Sequence, residues 1–258
     1  MIRSIDAAAA QALAARGLTQ LVDGTWHMPG DTPRGPTLAQ TTATIDTNAI
    51  KALPHDERAL RAIDVFASSG VRALQPVCVY DRAGFFSAPY VAWLLASHGV
   101  SASLVGPGGE VGDLCEGDGA LVQSSADPAR MNATKAEVLE ALDGPTQIVD
   151  ARPAARFAGT AAEPRPECRA GHIPGSLSLP FGELRGDGGF RDFEELGTAV
   201  ARAGIDLSRP VITSCGSGVT ASAVAVVLQR LGCADVRVYQ GSWAEWGVYP
   251  ALPIETGQ

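Results

Sequence analysis

The sequence of 258 residues is poor in what several functional classes need. Basic residues are outnumbered, 20 Lys and Arg against 28 Asp and Glu, for a formal charge of −8. No Lys/Arg cluster occurs, which argues against nucleic acid or an anionic membrane as a partner. No run of about 18 apolar residues occurs, so no transmembrane helix is expected. The opening residues Met1 to Asp6, before a short alanine run, lack a basic region followed by an apolar one. No secretory leader is read there; residues 6–16 read as a helix with Asp6 near its N-cap. Cysteine is scarce and scattered, at Cys78, Cys115, Cys168, Cys215 and Cys233. That spacing offers no zinc cluster and no Cys-x-x-Cys pair, and the odd count fits a reducing cytosol.

What is present centres on residues 210–222, Pro-Val-Ile-Thr-Ser-Cys-Gly-Ser-Gly-Val-Thr-Ala-Ser. Val211, Ile212 and Thr213 are β-formers in a short strand. Residues 220–231 have the composition of a helix, with Gly232 as its stop. Gly216 and Gly218 are expected to permit backbone conformations that a Cβ forbids. Cys215 therefore stands where a tight loop closes onto a helix N-terminus, whose unpaired N–H groups favour an anion and hence the thiolate. A core cysteine would need no Gly-x-Gly beside it. A phosphatase would need an Arg in the loop to pair with phosphate, and residues 216–222 contain neither Arg nor Lys. A lone thiolate in a neutral cradle of N–H groups suits a carrier of sulfur as persulfide.

The chain also repeats itself. Leu18–Asp23 and Gln147–Asp150 are apolar strands ending in Asp. Asp56–Val71 and Phe193–Ile205 are helical in pattern, each closing in a small-Gly-apolar triplet that suits a C-cap. Leu60, Ile63, Val65 and Phe66 are the main apolar residues of the first. Strands at Pro76–Asp81 and Pro210–Cys215 both open with Pro-Val, and the helices Ala88–Gly99 and Ala221–Gly232 both end in Gly. Gly108 and Gly241 keep the spacing. Two copies of one α/β unit follow, each a mainly parallel sheet with helices on both faces. The expected domains are residues 1–123 and 134–258. The linker between them is 124–133, and a Thr134-x-x-Glu137 capping box starts the second. In the first copy Asp81 stands in place of Cys215, so that domain is read as non-catalytic.

Residues 149–165 carry three arginines, Arg152, Arg156 and Arg165. The guanidinium fork suits a donor bearing a carboxylate and a carbonyl. Arg152, just after the strand-end Asp150, reads as structural. His172, before a Pro-Gly turn, reads as a side chain that pins the turn rather than as a general base. Trp243 and Trp246, three apart, lie on one helix face and read as packing near the loop.

The loop at 215–220, Cys-Gly-Ser-Gly-Val-Thr, resembles the active-site loop of the 3-mercaptopyruvate sulfurtransferases, within the rhodanese superfamily. Thiosulfate-using rhodaneses have a more basic loop. The segments Arg156-Phe-Ala-Gly-Thr160 and Glu163-Pro-Arg165 resemble the family's pair of substrate-binding arginines, which places Arg156 and Arg165 in that role. Gly171–Gly175 and Gly241–Gly247 match further segments of the superfamily. The resemblance implies two tandem rhodanese-like domains. It also implies Cys215 as nucleophile, Ser217 as its helper, and Gly216, Gly218, Val219 and Thr220 as the cradle. In the family an Asp and a His from the first domain are proposed to work with the loop Ser. Asp46 supplies the Asp here, but Lys51 stands where the His would be. The Gly-His-Ile-Pro-Gly segment usual in the first domain is missing, replaced by a Pro/Gly-rich loop from His27.

The expected reaction is transfer of sulfur from 3-mercaptopyruvate through a Cys215 persulfide to cyanide or a thiol, either a small thiol or a thioredoxin-like protein. It needs no metal and no organic cofactor, and a cytoplasmic monomer is expected. Thiosulfate as donor is the alternative enzyme reading. A sulfur-relay or regulatory module, loaded by a partner protein, is the non-enzymatic one.

Overall fold

A computed structural model describes residues 3–26, 37–72, 74–106 and 127–257. Gly108, Cys115, residues 124–126 of the expected linker and the loop at 27–36 lie outside them. The chain divides into two compact units, Met1–Arg130 with Asp187–Gly189, and Met131–Gly186 with Phe190–Gln258.

In the first unit the order is β1 (Arg3–Ile5), α1 (Ala7–Ala15), β2 (Gln20–Asp23), β3 (Thr41–Thr44), α2 (Thr47–Ala52), α3 (Arg58–Ser68), β4 (Val77–Tyr80), α4 (Ala88–Ser97) and β5 (Ala102–Val105). The strands form one parallel sheet in the order β1-β5-β4-β2-β3. All four residues of β2 and of β4 are buried, as expected of parallel strands covered on both faces. The alternation of side chains divides the work. Leu21, Cys78 and Tyr80 pack with Ala10 and Leu13 of α1. On the opposite face α4, buried at every position, brings Val91 against Gly24 beside Val79.

The second unit repeats the plan. After α5 (Pro128–Met131) come β6 (Asn132–Ala133), α6 (Lys135–Ala141), β7 (Gln147–Asp150), α7 (Ala154–Phe157), β8 (Leu177–Ser178), α8 (Phe193–Arg202), β9 (Val211–Ser214), α9 (Val219–Arg230), β10 (Val236–Tyr239) and α10 (Ser242–Trp246). The order β6-β10-β9-β7-β8 is again parallel throughout and corresponds strand for strand to the first sheet. Ile148, Ile212 and Tyr239 pack on one face with Val138 and Ala141 of α6 and Trp243 and Trp246 of α10. The Ala/Val-rich α9, buried at nine positions from Val219 to Leu228, packs on β9 and β10 and covers the other face.

Local signals in the sequence are obeyed. Asp6 caps α1 through the Ala9 N–H, and Thr134 and Glu137 form the reciprocal capping box of α6. Gly70 and Gly204 follow α3 and α8 with φ of +89° and +74°, the left-handed geometry of a helix stop. Of the apolar residues of α3, Leu60 is 57% exposed, because the buried row runs through Arg58, Ala62 and Phe66, four residues apart. One reading changes. Residues 128–133, read as linker, form α5 and the edge strand β6, whose Asn132 and Ala133 pair with Val238 and Tyr239. A two-residue strand leaves no periodicity to read.

Candidate active site

β9 ends at Ser214, and Cys215 follows at the carboxyl edge of the sheet, 2% exposed. The chain then turns at Gly218, with φ of +87°, and enters α9 at Val219 and Thr220. The backbone N–H groups of Ser217 and Gly218 donate to Cys215 Sγ at 3.4 and 3.2 Å. The carbonyls of this loop point elsewhere. Cys215 O accepts from the Trp243 N–H at 2.9 Å and Gly216 O from the Ala244 N–H at 3.0 Å. The Cys215 N–H donates to Ser242 Oγ at 3.1 Å. The first turn of α10 thus binds the outside of the loop and leaves amide donors facing the sulfur inside. This is the electrostatic arrangement that holds an anion.

The two loop glycines have different reasons. Gly218 needs its positive φ, and a Cβ there would meet the Gln240 side-chain and backbone oxygens at 3.0 and 3.1 Å. Gly216 has an ordinary backbone, contrary to the sequence reading. Its missing side chain makes room for Arg156, whose Nη2 lies 3.3 Å from the position of a Cβ.

Behind the loop runs a chain of charges. Arg152, 1% exposed, donates through Nε and Nη2 to Asp150, through Nη2 to Gly171 O and through Nη1 to Glu163, and stacks over the Trp243 ring at 4.3 Å. Its role is structural, as read from sequence. Glu163, with a side chain 3% exposed, also accepts from Nε and Nη2 of Arg156. Arg156, from α7, is therefore tied at one edge while its Nη2 approaches Gly216. Arg165 is half-buried, and its guanidinium makes no hydrogen bond or ion pair with a described residue. Sequence reasoning missed two members of this site. Glu163 is the sole acid among residues 151–165, a signal that it must answer several arginines. Ser242, which anchors the Cys215 amide, gives no such signal.

His172 is buried, stacks on Phe157 with ring centroids 3.8 Å apart, and holds Phe157 O through Nδ1 at 2.8 Å. The ring thus holds the C-terminal end of α7, not the Pro174-Gly175 turn that the sequence suggested. Trp243 and Trp246 are buried in the core beside the loop. In the first unit Asp46 caps α2, accepting from the Asn48 and Ala49 amides. Lys51 lies over the Trp26 ring, 4.4 Å from its centroid. Among the described residues no group of three or more His, Cys, Asp or Glu is placed to hold a metal ion, and no helix is long and apolar enough to cross a membrane.

The equivalent loop of the first unit is filled. Asp81 follows β4 as Cys215 follows β9. Its Oδ1 accepts from the Ala83 and Phe85 amides and its Oδ2 from the Ser87 and Ala88 amides, at 2.6–3.1 Å. A carboxylate occupies the cradle from within.

Fold and loop together define a rhodanese-type α/β protein. The Rhodanese-like domain family matches residues 134–248. The chain is 37% identical over 196 residues to the 3-mercaptopyruvate sulfurtransferase of Escherichia coli K12, covering 72% of this chain and 70% of that protein. It is 37% identical over 223 residues to the mouse protein of the same name, covering 78% and 73%. It is 34% identical to a mitochondrial thiosulfate/3-mercaptopyruvate sulfurtransferase of Arabidopsis thaliana, covering 92% and 74%. The crystal structure of SseA from Escherichia coli, a 3-mercaptopyruvate sulfotransferase, superposes with a TM-score of 0.69 at 28% identity over 94% of this chain and 99% of that one. The chain belongs to the 3-mercaptopyruvate sulfurtransferase family.

Proposed function

We propose that the protein is a 3-mercaptopyruvate sulfurtransferase with Cys215 as its nucleophile. The donor's carboxylate and carbonyl dock on Arg156 and Arg165. The Cys215 thiolate attacks the donor sulfur. A sulfur–sulfur bond forms as the carbon–sulfur bond breaks, and its electron pair leaves on carbon as the enolate of pyruvate. The enolate takes up the proton the donor sulfur carried, giving pyruvate and a Cys215 persulfide anion. An acceptor, cyanide or a thiol, then attacks the outer sulfur, and Cys215 departs as thiolate. This is covalent catalysis in two half-reactions. The Ser217 and Gly218 amides stabilise the anionic sulfur as an oxyanion hole stabilises oxygen. Val219 and Thr220, opening α9, extend that donor surface. Ser217 donates a hydrogen bond or relays the proton. The acceptor thiol is a small thiol or a thioredoxin-like protein, and the reducing cytosol is the compartment that keeps Cys215 ready.

The observation that carries this reading is the pair of amides aimed at Cys215 Sγ. Thiosulfate is the second donor to consider, since the unpaired Arg165 guanidinium favours an anion of either kind. The test is intact-mass analysis after incubation with 3-mercaptopyruvate and no acceptor. Wild type should gain one sulfur atom and lose it on adding cyanide, and Cys215→Ser should gain none. Sulfur retained by Cys215→Ser, or turnover undiminished in it, would exclude Cys215 as the carrier.

A further inference from the structure

One carboxylate serves two arginines of different standing. Arg152 is locked between Asp150, Gly171 O and the Trp243 ring. Arg156 reaches the loop at Gly216. Glu163 joins them, accepting Arg152 Nη1 at 2.8 Å and Arg156 Nε at 3.1 and 3.2 Å through its two oxygens, with Nη2 of Arg156 on the second. The charges of Asp150, Arg152, Glu163 and Arg156 sum to zero. The loop from Gly216 to Ser222 adds none.

Two physical consequences follow. Glu163 takes the Nε and one Nη2 proton of Arg156, so the guanidinium offers only its remaining edge to a ligand. The fork is thereby aimed, because Glu163 is itself held by Arg152, which is buried and bonded to Asp150 and Gly171 O. The Arg156–Glu163 pair also presents N–H donors without a net charge of its own, which leaves Arg165 as the one uncancelled cation among the residues proposed to hold the donor. A dianion is more costly to desolvate than a monoanion and needs positive potential to offset that cost. Beside a neutral Arg–Glu pair it finds hydrogen bonds but little such potential.

We propose that Glu163 is the positioning residue that sets donor choice: by cancelling the charge of Arg156 while aiming its free edge at the Cys215 loop, it admits a monoanionic carboxylate donor and disfavours a dianion such as thiosulfate. This rests on the sulfur-transfer reading above and deepens it. The loop's own lack of cations is a separate contribution, and Glu163 adds to it from outside the loop.

The experiment measures kcat/KM for 3-mercaptopyruvate and for thiosulfate, with cyanide as acceptor, in wild type, Glu163→Gln and Glu163→Asp. Glutamine keeps the size and an acceptor oxygen but removes the charge. It should raise the thiosulfate-to-mercaptopyruvate ratio on the order of tenfold, mostly through KM for thiosulfate. Aspartate keeps the charge and should leave the ratio at its wild-type value, whatever it does to the rate. Equal changes for both donors in Glu163→Gln would reduce Glu163 to a structural part and overturn the proposal. If Glu163→Gln does not fold by circular dichroism, Arg156→Gln reports the same quantity with opposite sign. The uncancelled Glu163 should then cost thiosulfate more than mercaptopyruvate, and equal losses overturn the proposal. Failure of the underlying reading looks different: wild type would load sulfur on Cys215 from neither donor.

Discussion

The Nη2 atom of Arg156 lies 3.3 Å from the place a Cβ on Gly216 would occupy, so the arginine proposed to bind substrate packs directly on the backbone of the Cys215 loop. Gly218, two residues on, is a glycine for another reason, its φ of +87° and the Gln240 oxygens close by. The difference separates binding from folding.

Gly216→Ala meets only the far end of a flexible side chain. It should fold with an unchanged melting temperature and raise KM for 3-mercaptopyruvate several-fold as Arg156 is pushed aside. Gly218→Ala forces a left-handed L-residue, a cost of roughly 1–2 kcal/mol before any clash is counted. It should melt earlier and lose kcat, because the Gly218 amide turns away from the sulfur. Thermal melts beside steady-state kinetics check both, and identical profiles for the two variants would contradict the distinction.

Arg152→Met leaves Asp150 without its bidentate partner and Glu163 with Arg156 alone, all in a buried site. Removing one partner of such a network costs about 3–5 kcal/mol. Denaturant unfolding should show a loss of that size. A loss under about 1 kcal/mol would mean that solvent enters the cluster and screens it.

Asp81→Ala empties the first unit's cradle and frees the four amides its carboxylate holds. The variant should be less stable than wild type in an anion-free buffer. Sulfate should raise its melting temperature more than that of wild type, whose cradle is already occupied. A sulfate response equal in the two proteins would show that no anion enters the emptied loop.

The α6 capping box should give a measurable pH dependence. Burial raises the Glu137 carboxyl, but the Thr134 amide and hydroxyl and the Arg237 guanidinium outweigh it and hold the group below the ordinary glutamate range. A depressed folded-state value stabilises above the unfolded value, near pH 4.3, and the gain is lost as pH falls through the lower folded one. Glu137→Gln should therefore melt below wild type at pH 7, and the gap should narrow toward pH 3. A gap independent of pH would assign the effect to shape rather than charge.

Much of this was legible because it is local. The Asp6 and Thr134 caps, the glycine stops at Gly70 and Gly204, and the strand-loop-helix around Cys215 each depend on a few neighbouring residues. Their geometry is dictated by steric limits and by unpaired backbone groups at helix ends. The doubling of the fold was legible too, since corresponding strands and helices recur in order. Arg152 could be assigned a structural role from its place just after a strand-end Asp.

What was not legible depends on groups brought together from distant places. Leu60 is among the apolar residues of α3, yet the row through Arg58 and Phe66 meets the interior, because tertiary packing decides which face is covered. β6 exists because β10 offers an open edge more than 100 residues later. Asp81 reads as a lost nucleophile; only the curl of its loop turns the carboxylate inward onto four amides.

The sequence by itself determined the α/β repeat, the position of Cys215 between strand and helix and the absence of cations from its own loop, because chain chemistry and short-range sterics fix these. Only the tertiary structure decided that Glu163 ties the loop-facing arginine to the buried one, and that Gly216 is small for the sake of Arg156. It also decided that the first turn of α10 draws the loop carbonyls away from Cys215. Those depend on where packed strands and helices place side chains and amides relative to one another, and no spacing in the chain encodes a distance through space.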